Sequence, residues 1–409
     1  AVRAGPWRRM QSRGGLPGNY LPEACKGCVV VHRSHPLIFG VGPAPEDGAS
    51  FRWDPCDKVF SVVNANNFPC FTYLTFCGVE VCDRHGKPFA RGVTRAESGE
   101  EQPAVTFVVV VDPRTTVRLG SVEAGPALAD FYAIELERLA PTHTAVPRSI
   151  PAPLEEGIGR GWPAFGFPLP ADDGPYLCTQ GVGGHLTHFF PASYHAIDLR
   201  CSCHTPVLSI GDGIVTEVAE SHRCGGVHAA NLAAWNSVSV QLDCGLVVDY
   251  LHTLPGSAKI KAGDAVQRGQ VLCETGDIGF APEPHLHIEL HAANDLEGPS
   301  LPLHFGITRF VPLAGGWYSP DGEVPPPAGA DLQWPPLACS ATSAAPAPPR
   351  PVSRRPGSSE DGAAPWRPTQ EGRRRAIRFG CMALKRKLSK VEQRAQLMKQ
   401  PADTLAIPG

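Results

Sequence analysis

The chain has 409 residues, and 42% of them are hydrophobic, so it is long enough for two or three domains with apolar cores. Its 37 Lys and Arg against 40 Asp and Glu give a net charge of −3, which excludes a global electrostatic argument for binding nucleic acid or membranes. The longest apolar run, at 106–111, is strand-sized and too short to span a membrane. With 43 Gly and 43 Pro disfavouring long helices, the predicted fold class is mainly β.

The cysteines do not define a disulfide framework or a redox compartment. The 14 cysteines include one CxxC pair, Cys25 and Cys28, without a second pair at zinc-ribbon spacing. On a strand, Cys201 and Cys203 would share a face with Cα atoms roughly 6.6 Å apart, so a bond between them would be strained.

The chain begins at Ala1 rather than at a methionine, which is compatible with a targeting segment upstream and leaves secretion or an organellar location open.

The first third of the chain predicts a leader followed by a small domain. Residues 1–50 are rich in Gly, Pro and Arg with little periodicity, which predicts an irregular leader. Five β-type runs then lie at 59–63, 71–77, 106–111, 116–119 and 131–136, separated by turn signals. This spacing predicts a β-sandwich over 51–140, which we interpret as a packing or binding module.

The rest of the chain predicts a second domain and an irregular tail. Proline-rich residues 141–161 predict a linker, and 162–318 predict a β-rich domain that holds 11 of the 15 histidines. Residues 319–370, rich in Pro and Ala, predict a disordered tract. Residues 371–400 carry ten Lys or Arg against two Glu and predict a basic helix, followed by a tail at 401–409. Such a helix could contact an anionic surface, although a solvated helix is the simpler interpretation.

Residues 284–290 alternate in a way that is typical of a β-strand. His285, His287 and Glu289 would project to one side and the intervening apolar residues to the other. Two neutral imidazoles on one strand suit a zinc site, with one as a ligand and one beside the metal for proton transfer. A His-x-His tripeptide alone more often marks two surface histidines at the rim of a sheet, so the surrounding motifs decide between these interpretations.

Several separated motifs accompany this strand in a fixed order. They are Gly-Gly-His-Leu-Thr-His at 183–188, Asp at 198, Thr-Pro-Val at 205–207, Gly-Asp-Gly-Ile-Val at 211–215, Val-Asp-Tyr-Leu-His at 248–252, Gly-Asp-Ile-Gly at 276–279 and Pro-His-Leu-His at 284–287. Together they resemble the lysostaphin-type, or LytM-like, zinc metalloendopeptidases, which cut peptide cross-links of bacterial cell walls. The resemblance covers residues 180–290 and implies an antiparallel β-sheet peptidase domain. More weakly, the preceding β-module resembles the domain before the peptidase in some bacterial members.

The resemblance implies a site with one zinc ion per chain. The family's ligands fall on His188, Asp198 and His287, with water completing the coordination, and its catalytic histidines fall on His252 and His285. Three protein ligands leave an open position on zinc, and two unliganded histidines can transfer protons and stabilise an oxyanion. The implied function is hydrolysis of peptide bonds, with peptidoglycan as the expected substrate.

The first ligand has a competitor. The family's commonest form places its histidine four residues before the aspartate, where this chain has Tyr194, and a longer-spaced form fits His188. His195 lies closer to Asp198 but would point to the opposite, apolar face of a strand. We therefore prefer His188 as the ligand.

Two further positions stand apart from the family pattern. His204 occupies a place that is usually Gly before Thr-Pro-Val, which affects the local turn. Glu289 shares the face of the two strand histidines but falls on no ligand position, so its removal is expected to leave the metal largely in place.

Two other functions compete with the peptidase. A catalytically inactive, peptidase-like binding or regulatory protein is the main alternative, but such proteins typically lose ligands, whereas all five positions are filled here. A swinging-arm carrier is suggested by the hairpin at 263–270, which resembles biotinyl and lipoyl domains. The absence of a Met-Lys-Met or comparable motif disfavours it.

Overall fold

The computed structural model describes residues 27–31, 35–44, 51–123, 129–135, 163–293 and 298–330. All of them belong to one compact unit, Ala1–Cys339. Their regular structure consists of strands and two short 3₁₀ helices, Pro191–Ser193 and Ala229–Ala233, which confirms the mainly β class. None of the described helices is long and apolar enough to cross a membrane. The predicted linker at 141–161, most of the tract at 319–370, the basic helix at 371–400 and the tail at 401–409 lie outside the described residues.

The first ten strands form two packed sheets. They are β1 (Cys28–Val31), β2 (Gly40–Pro43), β3 (Phe51–Trp53), β4 (Val59–Asn64), β5 (Cys70–Cys77), β6 (Val81–Cys82), β7 (Gly92–Arg95), β8 (Glu101–Val111), β9 (Thr115–Val122) and β10 (Ala129–Glu135). One sheet runs β10-β5-β8-β7 with β1 beside β8, and the other runs β2-β9-β4-β3 with β6 beside β9. Side chains such as Phe60, Leu74 and Phe107 are fully buried between them, as in a β-sandwich.

The leader differs from the expectation of an irregular segment over residues 1–50. Within it, β1 pairs in parallel with β8, and β2 pairs with β9. Val31 at the end of β1 is fully buried in the sandwich core. The composition of fifty residues does not reveal this short apolar run, whose partners on β8 lie 78 residues further along the chain.

The second region forms a nine-stranded antiparallel sheet. The described part of the region has twelve strands, nine of which belong to this sheet: β11 (Tyr176–Gln180), β12 (Ile197–Arg200), β13 (Pro206–Leu208), β14 (Gly213–Ala219), β15 (Gly225–Gly226), β16 (Ser237–Leu242), β17 (Leu246–Leu251), β18 (Ala265–Val266), β19 (Val271–Glu274), β20 (His285–Ala292), β21 (Trp317–Ser319) and β22 (Gly322–Val324). The sheet order is β18-β14-β16-β17-β20-β12-β11-β21-β22, and β13 pairs separately with β19. Because β22 pairs with β21, the sheet extends beyond the predicted boundary at residue 318.

Strand β20 lies inside this sheet, between β17 and β12. Its apolar residues Leu286, Ile288 and Leu290 are fully buried in the core on one face. Successive side chains of a strand alternate, so positions 285, 287 and 289 face the other side. The sequence pattern of this strand predicted that arrangement correctly.

The sandwich packs directly against the second region. Strand β15 hydrogen-bonds to β7, so the second region adds a strand to a sandwich sheet. Phe71 stacks on Phe189 with ring centroids 3.9 Å apart, and the hydroxyl of Tyr73 donates to the carbonyl of Leu186. The outer face of that sandwich sheet therefore covers the segment that contains His188.

Candidate metal centre

Two neighbouring strands and one loop bring three predicted ligands together. Asp198 on β12 and His287 on β20 are direct cross-strand partners, and Asp198 Oδ1 lies 2.9 Å from His287 Nδ1. His188 comes from the loop between β11 and β12, and its Nε2 lies 3.2 Å from both of those atoms. All three side chains are buried.

The donor set of this cluster fits a zinc ion. Two nitrogens and one carboxylate oxygen lie within 4.8 Å of one another. Zinc bonds of about 2.0–2.1 Å in a tetrahedron separate ligand atoms by roughly 3.4 Å. The observed separations of 2.9 and 3.2 Å would therefore need to open by only a few tenths of an ångström. Three protein ligands of this kind are typical of a catalytic rather than a structural zinc site.

Gln180 connects the loop to the aspartate. Its Nε2 donates to Asp198 Oδ2 at 2.8 Å, and its Oε1 accepts the backbone N–H groups of Leu186 and Thr187 at 3.1 Å. Gln180 thus fixes both the carboxylate and the backbone immediately before His188. The sequence analysis did not identify Gln180, because its position beside Asp198 depends on the pairing of β11 with β12 in the folded sheet.

Three imidazoles share one orientation, in which Nδ1 donates to a backbone carbonyl and Nε2 is left with its lone pair. The pairs are His188 with Gly181 (2.9 Å), His252 with Ile278 (2.6 Å) and His285 with Glu283 (2.8 Å). These contacts select the tautomer that has a metal-binding or proton-accepting Nε2.

His287 is oriented in the opposite way. Its Nε2 lies 3.2 Å from Glu289 Oε2, so Nδ1 remains for the metal. Burial lowers the pKa of His287, but hydrogen bonds to Asp198 and Glu289 outweigh burial and raise it to about 10. The other oxygen of Glu289 lies 3.5 Å from His291 Nε2. Glu289 is therefore in contact with a candidate ligand, which the sequence pattern did not predict.

The loop at 276–279 shapes the position of His252. This residue follows β17 and has a φ of +63°, in the left-handed region that is uncommon outside glycine. A Cβ at Gly279 would lie 3.3 Å from His252 Nδ1, and one at Gly276 would lie 3.0 Å from its carbonyl oxygen. The two glycines of the Gly-Asp-Ile-Gly motif therefore allow the loop backbone to approach the imidazole closely enough for Ile278 to accept its hydrogen bond.

His252 and His285 form a pair beside the three candidate ligands. Their ring centroids are 4.5 Å apart, and His285 Nε2 lies 3.8 Å from Asp198 Oδ1. Burial lowers the pKa of both imidazoles. Both are therefore neutral near pH 7 and able to accept a proton at Nε2.

A buried ion pair supports the position of His285. Arg200 Nη2 lies 2.5 Å from Glu283 Oε2, and both side chains are buried. Since the carbonyl of Glu283 accepts the hydrogen bond from His285 Nδ1, this ion pair restrains the segment that orients the imidazole.

The sandwich contacts the loop that positions His252. Arg95 on β7 makes two hydrogen bonds to the carboxylate of Asp277, with distances of 3.0 and 2.6 Å. Asp277 directly precedes Ile278, whose carbonyl accepts from His252. Arg95 therefore links the two sequence regions at a point next to the candidate site.

The remaining predicted or competing residues have other partners. His195 Nδ1 lies 2.7 Å from the carbonyl oxygen of Ser300, and His204 Nδ1 lies 2.8 Å from Glu274 Oε2. Cys201 is a free thiol, whereas Cys203 is disulfide-bonded, so these two cysteines are not bonded to each other.

Comparison with known proteins gives a family match and distant relatives. Residues 192–299 match peptidase family M23, a range that begins after His188 and includes the other four predicted site residues. The chain is 29% identical over 97 residues to an uncharacterized metalloprotease of Buchnera aphidicola subsp. Baizongia pistaciae, covering 24% of this chain and 23% of the relative. It is 26% identical over 114 residues to glycyl-glycine endopeptidase ALE-1 of Staphylococcus capitis, covering 28% and 29%. The match therefore spans about a quarter of the length of each curated relative.

Solved structures were also compared with the chain. The catalytic domain of lysostaphin from Staphylococcus simulans is 24% identical, with 31% of this chain and 78% of that chain covered and a TM-score of 0.20. The catalytic domain of the M23 protein EnpA from Enterococcus faecalis is 21% identical, with 33% and 93% covered and a TM-score of 0.25.

Proposed function

We propose that this chain, whose residues 192–299 match peptidase family M23, is a zinc-dependent endopeptidase that hydrolyses peptidoglycan cross-links. The observation that carries the proposal is the buried cluster of His188, Asp198 and His287 with His252 and His285 alongside. The names of the relatives, a metalloprotease and a glycyl-glycine endopeptidase, support the reaction and the substrate class.

In this proposal three side chains hold one zinc ion. His188 contributes Nε2, His287 contributes Nδ1 and Asp198 contributes Oδ1. Burial raises the pKa of Asp198, but the neighbouring imidazoles outweigh burial and hold it well below its ordinary range, so the oxygen ligand is anionic. When bound, zinc supplies a Lewis acid that activates a water molecule and polarises the scissile carbonyl.

The paired histidines carry the proton transfers. Nε2 of His252 or His285 accepts a proton from the attacking water and returns one to the leaving amine. The backbone carbonyls of Ile278 and Glu283 accept hydrogen bonds from Nδ1 in both protonation states, so they stabilise the imidazolium that forms in this step. Its positive charge also helps to stabilise the oxyanion.

The proposal is tested by hydrolysis of defined cross-link peptides by the full chain. Chelation should abolish cleavage and added zinc should restore it, while Asp198→Ala should bind one zinc fewer and lose activity. His204→Ala is the matched control, because this histidine is half-exposed and paired with Glu274. If Asp198-dependent zinc is bound but neither these peptides nor cell walls are cleaved, the alternative of an inactive, peptidase-like binding protein replaces the proposal.

A further inference from the structure

A second cluster of ligating side chains lies where the sandwich meets the peptidase sheet. Glu97 lies in the turn between β7 and β8, whereas His222 and Cys224 lie between β14 and β15. His222 Nδ1 is 3.0 Å from Glu97 Oε1, and the Cys224 thiol donates to the carbonyl of Ala234 at 3.9 Å. One ligand atom from each residue lies within 4.8 Å of the others. None of the three belongs to the proposed catalytic centre.

The backbone of this cluster is fixed by its neighbours. The side chain of Asn236, which is fully buried, accepts from the N–H of His222 and donates to its carbonyl, both at 2.9 Å. Arg95 Nε donates to the carbonyl of Arg223 at 3.1 Å, and Glu97 accepts the N–H of Arg223 at 2.9 Å. The donor atoms are therefore held near one another by contacts that do not use the side chains of His222 and Cys224.

We propose that Glu97, His222 and Cys224 bind a zinc-class divalent cation that joins the sandwich to the peptidase domain. The set offers one oxygen, one nitrogen and one sulfur, and a thiolate favours zinc over magnesium or calcium. Cys224 is buried, whereas the side chains of Glu97 and His222 are 52% and 38% exposed, so the ion enters from the solvent side. A water molecule completes the coordination.

The hydrogen bond within the cluster is compatible with this role. The three ligands of the proposed catalytic centre make similar mutual contacts at 2.9 and 3.2 Å. Burial raises the pKa of Cys224 to about 12, so its sulfur carries a proton at neutral pH. Binding releases that proton to solvent and leaves a thiolate on the ion.

The position of the junction cluster connects it to the catalytic loop. The carbonyl of Cys224 accepts the N–H of Gly279 at 3.0 Å. The preceding residue, Ile278, accepts the hydrogen bond from His252. A cation at the junction therefore restrains the backbone that orients one of the two paired histidines.

The test uses the full chain with Asp198→Ala, which removes a ligand of the proposed catalytic centre and makes the two sites distinguishable. Titration with Co²⁺ alone is followed by the thiolate-to-cobalt charge-transfer band in the near ultraviolet. Histidine and carboxylate ligands do not give this band. We expect it to saturate at one cobalt per chain, and Cys224→Ser to abolish it. Cys244→Ser is the matched control and should keep the band, because this cysteine is exposed and outside the cluster.

Glu97→Gln provides a variant that leaves the buried residues untouched. It should weaken cobalt binding at least tenfold, since the anionic oxygen ligand is lost. Absence of the band in the Asp198→Ala chain, or its persistence in Cys224→Ser, would overturn the proposal. Unchanged cobalt affinity in Glu97→Gln would also overturn the proposal. This second test applies even if Cys224→Ser fails to fold.

Discussion

Two histidines only two residues apart on β20 have opposite electrostatic surroundings. His287 lies between the carboxylates of Asp198 and Glu289, which raise its pKa to about 10 although burial opposes this. His285 donates to a backbone carbonyl, and burial lowers its pKa. Because Nδ1 of His287 faces both Asp198 and His188, a cation shared by the three would displace its proton, whereas the neutral imidazole of His285 suits proton transfer. This contrast supports the roles proposed for the two histidines.

The catalytic assignment predicts the effect of removing either paired histidine. His252→Ala and His285→Ala should bind as much zinc as the unmodified chain, because neither side chain is assigned as a ligand. The rate of peptide cleavage should fall by ~10²–10⁴-fold, the usual contribution of positioned proton transfer. Zinc content and kcat measured on the same preparations check this. A loss of one zinc equivalent in His285→Ala would mean that the ligand and the catalyst have been exchanged.

Glu289 should affect metal affinity without being a ligand. Its contact with His287 Nε2 fixes the tautomer that leaves Nδ1 for the metal, so Glu289→Ala should weaken zinc binding by about 10–100-fold. Competition with a chromogenic chelator measures this, and Glu323→Ala, at an exposed position on β22, is the control. Unchanged affinity would restore the expectation from the sequence that Glu289 is dispensable for the metal.

At the level of individual residues, the family resemblance suggested five candidate site residues but not the residues that hold them in place. Alternation along β20 placed His285, His287 and Glu289 on one face, and the structure agrees. Gln180 could not be assigned in this way, because its bond to Asp198 depends on the pairing of β11 with β12. Supporting contacts of this kind arise from register, which a single sequence does not specify.

The loop at 276–279 illustrates how an element positions a side chain. Gly279 has a φ of +95°, and a Cβ there would lie 3.0 Å from Trp235 Cβ and 3.3 Å from His252 Nδ1. Gly269 has a similar φ of +83°, but a Cβ at that residue would have no other atom within 4 Å. Substitution of either glycine would therefore strain the backbone, but only a side chain at Gly279 would also press against neighbouring atoms.

This difference gives a matched pair of substitutions. Both Gly279→Ala and Gly269→Ala should lose stability on the order of 1 kcal/mol or more, because alanine disfavours a positive φ. Only Gly279→Ala should also lower kcat, since its methyl group displaces the imidazole of His252. Urea unfolding and peptide cleavage separate the two effects. Equal loss of activity in both variants would show that the contact at Gly279 has no specific role.

The secondary structure was predictable where strands are long and apolar. The runs at 59–63 and 71–77 correspond closely to β4 and β5, because their side chains are buried in the sandwich. Strand β15 has only two residues, Gly225 and Gly226, and forms because β7 from the other region is adjacent. Its existence depends on tertiary contact, so neither propensity nor periodicity could predict it.

Across the whole unit, the sandwich and the second region share a buried contact. On β5, Leu74 and Phe76 pack into the sandwich core, while Phe71 and Tyr73 pack towards Phe189. This sheet is therefore buried on both faces, which explains why the run at 106–111 is almost continuously apolar. The sandwich was interpreted from sequence as a packing or binding module. One of its faces packs against the loop that contains His188.

Arg95 provides the sharpest test of this contact. Its bidentate pair with Asp277 is largely buried, and breaking such a pair typically costs about 3–5 kcal/mol. Arg95→Ala should therefore lower both stability and kcat, and Arg95→Lys should recover part of the stability but not the bidentate geometry. Arg118→Ala removes an exposed pair with Asp57 in the same sandwich and should cost about 1 kcal/mol or less.

Zinc content, urea unfolding and kcat distinguish the expected outcomes for Arg95. Zinc at the proposed catalytic centre should be retained, because Arg95 contacts none of its proposed ligands. An unchanged kcat in a folded Arg95→Ala chain would show that the sandwich does not help to position His252.

The central claim is that His188, Asp198 and His287 hold a zinc ion beside the paired histidines. Anomalous diffraction at the zinc edge, from crystals of the zinc-reconstituted full chain, tests it most directly. The account predicts a peak about 2.0–2.2 Å from His188 Nε2, Asp198 Oδ1 and His287 Nδ1. A zinc ion bound by His285 in place of His287, or no zinc between β12 and β20, would contradict it.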